Sequence, residues 1–298
     1  KDEIVEKVQY NDANFDLEDL FAKTKLHGDE ARKADLLISL LTGSINDIEK
    51  IGAVQPTTLL EKVKKNIILF DGEQTRFIFR NYAIKKMISV QGLSGTGKTE
   101  LLLHKLKDLY VNEAESKIFF TCHNIALADK LRQRIPRFFD FMSVRKQIKW
   151  GDRLWMARAW GSKSNPDSGL YSYLCNTYDI PFYRYSPGID YQFIYSKVLD
   201  ALNAIPNKNF KPCFDYILVD ESQDFPEVFF EVCKKVVRHK VYMAGDVFQD
   251  IFDSVKKKKW GVDIVLNRCY RTDPRTLMFA HAVGLGLFEE NKLNWFDK

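Results

Sequence analysis

Residues Gly92-Leu93-Ser94-Gly95-Thr96-Gly97-Lys98-Thr99 fit the pattern G-x-x-x-x-G-K-[ST] without a gap, a spacing that suits a loop wrapped around phosphate. Gly92, Gly95 and Gly97, with Ser94 and Thr96 among them, let the backbone curl so that its N–H groups converge on phosphate oxygens. Lys98 would reach the β- and γ-phosphates, and Thr99 would ligate Mg²⁺. A second constellation, Phe214-Asp215-Tyr216-Ile217-Leu218-Val219-Asp220-Glu221, is an apolar run ending in two acids. Beside a bound triphosphate, Asp220 would hold Mg²⁺ directly or through water, while Glu221 would orient and deprotonate an attacking water. Two neutral amides also follow strand ends, Gln223 in Ser222-Gln223-Asp224 and Gln249 in Gly245-Asp246-Val247-Phe248-Gln249. An amide near the γ-phosphate loses a partner on hydrolysis and so reports nucleotide state. The bland alternatives are a chance glycine turn and an ordinary strand followed by an acidic turn.

Such groups converge only if each sits at the end of a strand in one sheet. The apolar run 87–90 precedes the glycine loop, and 99–111 follows it with helical spacing that aims a helix N-terminus at the same anion. Further runs at 117–121, 216–219, 241–244 and 262–266 read as strands, separated by helices at 125–135 and 226–236. This alternation predicts an α/β fold, a parallel sheet flanked by helices on both faces. Residues 1–66 are helical in pattern, with Leu36, Leu37, Leu40 and Leu41 on one face, and form an accessory helical region. The Tyr-, Ser-, Asn-, Pro- and Gly-rich stretch 161–212 reads as a small insertion into the sheet domain 67–298. The run Lys256 to Lys259 reads as a solvated loop, although neighbouring Trp260 makes a phosphate-and-stacking site conceivable.

Bulk properties narrow the class without choosing a substrate. With 298 residues, 45% of them hydrophobic, the chain can bury a sizeable core. The net charge of +5 fits a polyanion partner weakly. No apolar stretch approaches the roughly 20 residues that cross a bilayer, and Lys1-Asp2-Glu3 does not open a signal peptide, so a cytoplasmic or nucleoid-associated place is expected. Cys122, Cys175, Cys213, Cys233 and Cys269 lack zinc or redox spacing and read as reduced structural thiols. His27, His104, His123, His239 and His281 form no metal spacing.

Taken in order, these motifs closely resemble the superfamily 1 helicases of the UvrD/Rep type, from Phe70 to about Leu287. Asp71-Gly72-Glu73-Gln74 is similar to the Q motif, which implies that Gln74 reads the adenine edge. Thr121-Cys122-His123-Asn124-Ile125-Ala126 resembles motif Ia, a single-strand contact site, and Trp155 to Gly161 sits where motif Ib is expected. Asp220 to Gln223 corresponds to motif II and Gly245 to Gln249 to motif III. Cys269-Tyr270-Arg271-Thr272 resembles motif IV, which implies Tyr270 stacked on adenine and Arg271 at the γ-phosphate.

The resemblance implies a RecA-like P-loop ATPase that uses ATP and Mg²⁺ and binds single-stranded nucleic acid, DNA ahead of RNA. Lys98, Glu221, Gln249 and Arg271 would be catalytic; Thr121, Asn124, Trp160 and Phe252 would meet the strand. Departures from the pattern are Glu100, where the family often has an arginine packed on adenine, and Cys269 in place of asparagine. Motifs V and VI are not recognisable, so a second RecA-like half with its arginine would come from a longer chain or a partner. A nucleotide-gated sensor or assembly ATPase with the same fold and no unwinding is the alternative. The basic residues Lys130, Arg132 and Arg134 suit phosphate contact, and equally the exposed side of a helix whose Leu127, Leu131 and Ile135 face the core.

Overall fold

A computed structural model describes residues 72–79, 85–142, 144–206, 208–246, 261–266 and 274–284. The expectations for the N-terminal helical region, and for Gln249, Phe252, the lysine run, Tyr270 and Arg271, lie outside them. The described elements are α1 (Gly72–Phe79), β1 (Met87–Gly92), α2 (Lys98–Asn112), β2 (Ile118–Cys122), α3 (Ile125–Phe141) and β3 (Leu154–Arg158). They continue as α4 (Leu170–Thr177), α5 (Tyr191–Ala204), β4 (Phe214–Val219), α6 (Glu227–Val236), β5 (Val237–Asp246), β6 (Ile264–Leu266) and α7 (Pro274–Gly284).

Six strands make one sheet in the order β3-β2-β4-β5-β1-β6, and every pairing is parallel. A parallel sheet needs helices over both faces, because crossover connections put them there and the strands then bury both sides. Alternation sorts the side chains accordingly. Phe120, Leu218, Tyr242 and Ala244 pack with α1, α2 and α3, whereas Phe119, Ile217, Val219 and Met243 pack with α4, α5 and α6. Each of the buried Phe, Leu, Ile, Val and Met side chains among these contributes about 1.5–3 kcal/mol relative to exposure. Because β1 pairs with β5, Gly92 lies opposite Asp246, so the glycine loop and the end of β5 start from adjacent positions.

Local sequence explains most boundaries. Asn124 caps α3, its Oδ1 accepting from the N–H groups of Ala126 (2.8 Å) and Leu127 (3.2 Å). The sequence pattern places the end of this helix at 135, yet it continues to Phe141 through Pro136, because Phe138 and Phe139 remain buried beyond it. Strand β6 starts at Ile264 rather than at 262, since Val262 is exposed and the Asp263 carboxylate turns back to the Ser89 N–H. Strand β5 begins at Val237, directly after α6 and ahead of the apolar run that marks it in the sequence.

The stretch 161–212 holds two helices that are part of the core. Tyr195 and Tyr171 are fully buried, and both the Tyr195 hydroxyl and the Tyr171 N–H donate to the Ala159 carbonyl at 2.8 Å. Gly161, at φ 86°, and Gly169 let the backbones close at the end of β3: a Cβ on Gly161 would lie 1.9 Å from Ser172 Oγ. Among the described residues no helix is long and apolar enough to cross a membrane.

Candidate nucleotide-binding site

The glycine loop leaves the C-terminal end of β1 and enters α2 through two left-handed residues, Gly95 (φ 81°) and Gly97 (φ 89°). Only glycine takes that conformation without strain. Gly92 has a different reason: a Cβ there would sit 2.5 Å from Thr96 Oγ1 and 2.8 Å from the Leu266 Cβ. Thr96 is fully buried and closes the loop on itself, its hydroxyl donating to the Leu93 carbonyl at 2.8 Å. No side chain caps the start of α2. Its first-turn N–H groups and the positive end of a 15-residue helix therefore point into the loop, as an anion requires.

Lys98 is 7% exposed and folds back over this loop. Its ammonium donates to the carbonyls of Gly92 (2.9 Å) and Leu93 (3.0 Å) and lies 3.6 Å from Asp246 Oδ2. Phosphate oxygens entering the loop would compete with those carbonyls and with Asp246 for the ammonium. Next to it, the Thr99 hydroxyl donates to Asp220 Oδ2 at 2.8 Å, joining the glycine loop to the acidic strand end. The two constellations thus form one site.

Asp220 is fully buried, and burial pushes its carboxyl up from 3.8 to about 6 despite the Thr99 hydrogen bond and the nearby Lys98 charge. A hydroxyl beside a carboxylate that lacks full charge compensation is the donor chemistry a hard divalent cation satisfies, so the pair fits Mg²⁺. Because the folded carboxyl is raised, its ionisation opposes folding. Stability is lost as pH rises from about 4 through 6, by about 3 kcal/mol at neutral pH. Asp220→Asn should therefore raise the melting temperature of the nucleotide-free protein, and by more at pH 8 than at pH 5. Equal shifts at the two pH values would contradict that origin.

Glu221 takes the left-handed conformation, φ 52° and ψ 52°, uncommon for a non-glycine residue and costing about 1–3 kcal/mol. Its carboxylate stays close enough to that of Asp220 to add to the upward shift of the Asp220 carboxyl. Gln223 then fixes it: Nε2 donates to Glu221 Oε2 at 2.8 Å, while Oε1 accepts from the Asp246 N–H at 2.9 Å. Gly245 makes room for this bridge, since a Cβ there would lie 2.3 Å from Ser222 Oγ. The amide noted in the sequence for its closeness to phosphate thus links the ends of β4 and β5.

Gln74, 1% exposed on α1, reaches the same loop, with Nε2 3.4 Å from the Thr96 carbonyl. Lys105 holds α1 there. Nearly buried on α2, its ammonium donates to the Ile78 carbonyl at 2.6 Å, in the last turn of α1, and to Asp108 at 3.1 Å. Glu100 turns to the other side of α2 and pairs with Arg134 of α3.

The four residues expected at a strand lie elsewhere on the same sheet edge or outside the described residues. Thr121 is fully buried, and its hydroxyl has no hydrogen-bond partner among the described residues. Asn124 is exposed but commits Oδ1 to the cap of α3. Trp160 is 7% exposed, its ring bordered by those of Tyr171, Tyr185 and Tyr191. On α3, Arg132 lies over the Trp150 ring at 3.6 Å and Leu131 and Ile135 face the core, as the exposed-face reading requires.

Residues 57–243 match the family model of the type III restriction enzyme res subunit. The chain belongs to that family. It is a helicase-family domain with a RecA-like parallel sheet. No curated protein matches the chain. Among solved structures, one of two coordinating Pif1 helicases unwinding DNA at forked double-stranded DNA aligns with a TM-score of 0.36 and 13% identity, covering 73% of this chain and 48% of that one. The chain spans about half the length of that structure.

Within this res-subunit-family domain, two site residues have no role assigned by the motifs. Asp246 faces Lys98 only because β5 and β1 are neighbours, a fact of sheet order; the signal available was an acid at a strand's C-terminal end, the same signal that marks Asp220. Lys105 is one cation among many on an amphipathic helix, and nothing in its spacing reveals that it is buried.

Proposed function

We propose that the chain is the first RecA-like half of an ATP-dependent helicase or translocase of the superfamily 1, UvrD/Rep type, acting on single-stranded nucleic acid, DNA ahead of RNA, in the cytoplasm or at the nucleoid. The observation that carries this reading is the Thr99–Asp220 hydrogen bond beneath the uncapped start of α2, which gathers an anion cradle, a cation pair and a candidate base in one place.

In this reading the loop N–H groups and Lys98 hold the β- and γ-phosphates, and Gln74 meets the adenine edge. Mg²⁺, held by Thr99 and Asp220, would neutralise charge between the β- and γ-phosphates. Glu221, aimed by Gln223, accepts a proton as water attacks the γ-phosphorus; the bond to the β-phosphate oxygen breaks, giving ADP and phosphate. Lys98 then returns to Asp246 and the loop carbonyls. Gln249 and Arg271 would contact the γ-phosphate and Tyr270 would stack on adenine. A second RecA-like half, from a longer chain or a partner, completes the cleft whose opening and closing moves the strand. Thr121, Asn124, Trp160 and Phe252 mark the expected strand path across the sheet edge.

Hydrolysis of ATP by the full chain, measured with and without a single-stranded oligonucleotide, tests the reading. Stimulation by the strand is expected, and hydrolysis indifferent to every nucleic acid would favour the sensor or assembly ATPase instead.

A further inference from the structure

Five rings at the C-terminal edge of the sheet form an unbroken chain of contacts. Phe225 meets His123 at 5.8 Å between centroids, His123 meets Tyr191 at 4.6 Å, Tyr191 meets Trp160 at 5.1 Å, and Trp160 meets Tyr185 at 5.6 Å. They come from the ends of β4, β2 and β3 and from the stretch after β3. Burial changes along the row. Phe225 and Trp160 are 5% and 7% exposed, His123 and Tyr191 are half-buried, and Tyr185 is 80% exposed, the most exposed large hydrophobic side chain among the described residues.

The exposure of Tyr185 is built in. On one side, the Tyr183 N–H donates to the buried Tyr171 hydroxyl at 2.8 Å. On the other, Ser186 to Ile189 close a turn through a 2.9 Å bond, with Pro187 and left-handed Gly188 (φ 83°) at its centre. Trp160 and Tyr185 meet in a T-shaped contact with an interplanar angle of 72°, which covers at most one face of the Tyr185 ring and leaves the other to solvent. Arg184 is exposed beside it, and Arg158 lies at the end of β3 with Nη2 donating to the Gly161 carbonyl at 3.0 Å.

This surface is separate from the nucleotide pocket. β3 is four strand positions from β1, about 19 Å at the usual spacing. A held aromatic face next to an exposed cation, on the edge the strand would cross, is the combination that takes a base and its phosphate.

The geometry points to Tyr185 as a base-stacking residue: one base of a single strand lies on its open face, Arg184 meets an adjoining phosphate, and Trp160 braces the ring from behind. The inference rests on the proposed function, and it moves the stacking contact from Trp160, which the sequence suggests, to the ring that Trp160 supports.

The test is binding of a fluorescent oligo-dT to the full chain at fixed salt, comparing wild type, Tyr185→Ala and Tyr185→Phe. Tyr185→Ala should weaken binding about 5- to 150-fold. Tyr185→Phe, which keeps the face, should bind like wild type, and hydrolysis without nucleic acid should be the same in all three. Wild-type affinity in Tyr185→Ala would overturn the inference while leaving the motor reading intact. Loss in both variants would also overturn it, because the hydroxyl and not the face would be responsible. A wild-type chain that does not bind the oligonucleotide overturns the motor reading and this inference with it.

Discussion

Lys98→Ala should lower ATP turnover about a hundred- to a thousandfold, the roughly 2.7–4 kcal/mol that one preorganised donor to a developing charge supplies in a water-poor site. The side chain is already in place, nearly buried and bonded to carbonyls of the loop proposed to hold phosphate, so little reorganisation precedes its use. Removing it also leaves Asp246 without its cation at 3.6 Å. A thermal melt should accompany the assay, and Lys98→Arg, which keeps a charge for Asp246 but not the point geometry of an ammonium, separates the two effects. Turnover in Lys98→Ala equal to wild type, in a folded protein, would remove the phosphate assignment.

Glu221→Gln should have an effect as large or larger on turnover, about 10²- to 10⁴-fold, with nucleotide affinity nearly unchanged. The substitution is mild for the fold. Its amide oxygen accepts from Gln223 Nε2 as the carboxylate does, so the bridge to Asp246 survives and only the capacity to take a proton is lost. A single-turnover rate beside an equilibrium affinity reads the split. A fall in affinity that matches the fall in rate would show that Glu221 binds and does not act as the base.

Strand-end chemistry was legible because it is local. The glycine loop, Thr99 and the Asp220–Glu221 pair are short patterns whose geometry follows from one strand and one helix, and the sheet order then brings the two ends together through β5, which lies between β4 and β1. Where a contact depends on topology, sequence spacing falls silent. Lys98 and Asp246 are adjacent only through β1–β5 pairing, and Lys105 meets the Ile78 carbonyl only because α1 packs on α2.

The stretch 161–212 conceals its two helices for a different reason. Its turn-forming Ser, Asn, Pro and Gly dominate the composition, while the buried Ile194, Val198 and Leu202, at helical spacing with Tyr195, are few and aromatic-flanked. Tertiary packing of those rings, not propensity, makes the helices. The same aromatic density hid which ring is exposed. Trp160 shares its motif with Trp155 and both are nearly buried, whereas the ring presented to solvent, Tyr185, belongs to a loop that bears no motif.

In the proposed function a single pocket, formed by the glycine loop, Thr99 and Asp220, would hold one magnesium-bound nucleotide. Titrating the full chain with a slowly hydrolysed ATP analogue, in Mg²⁺ and again with the metal chelated, measures it directly. Saturable binding at one site that weakens sharply without Mg²⁺ is the expected result; no saturable binding, or an affinity indifferent to the metal, would contradict it.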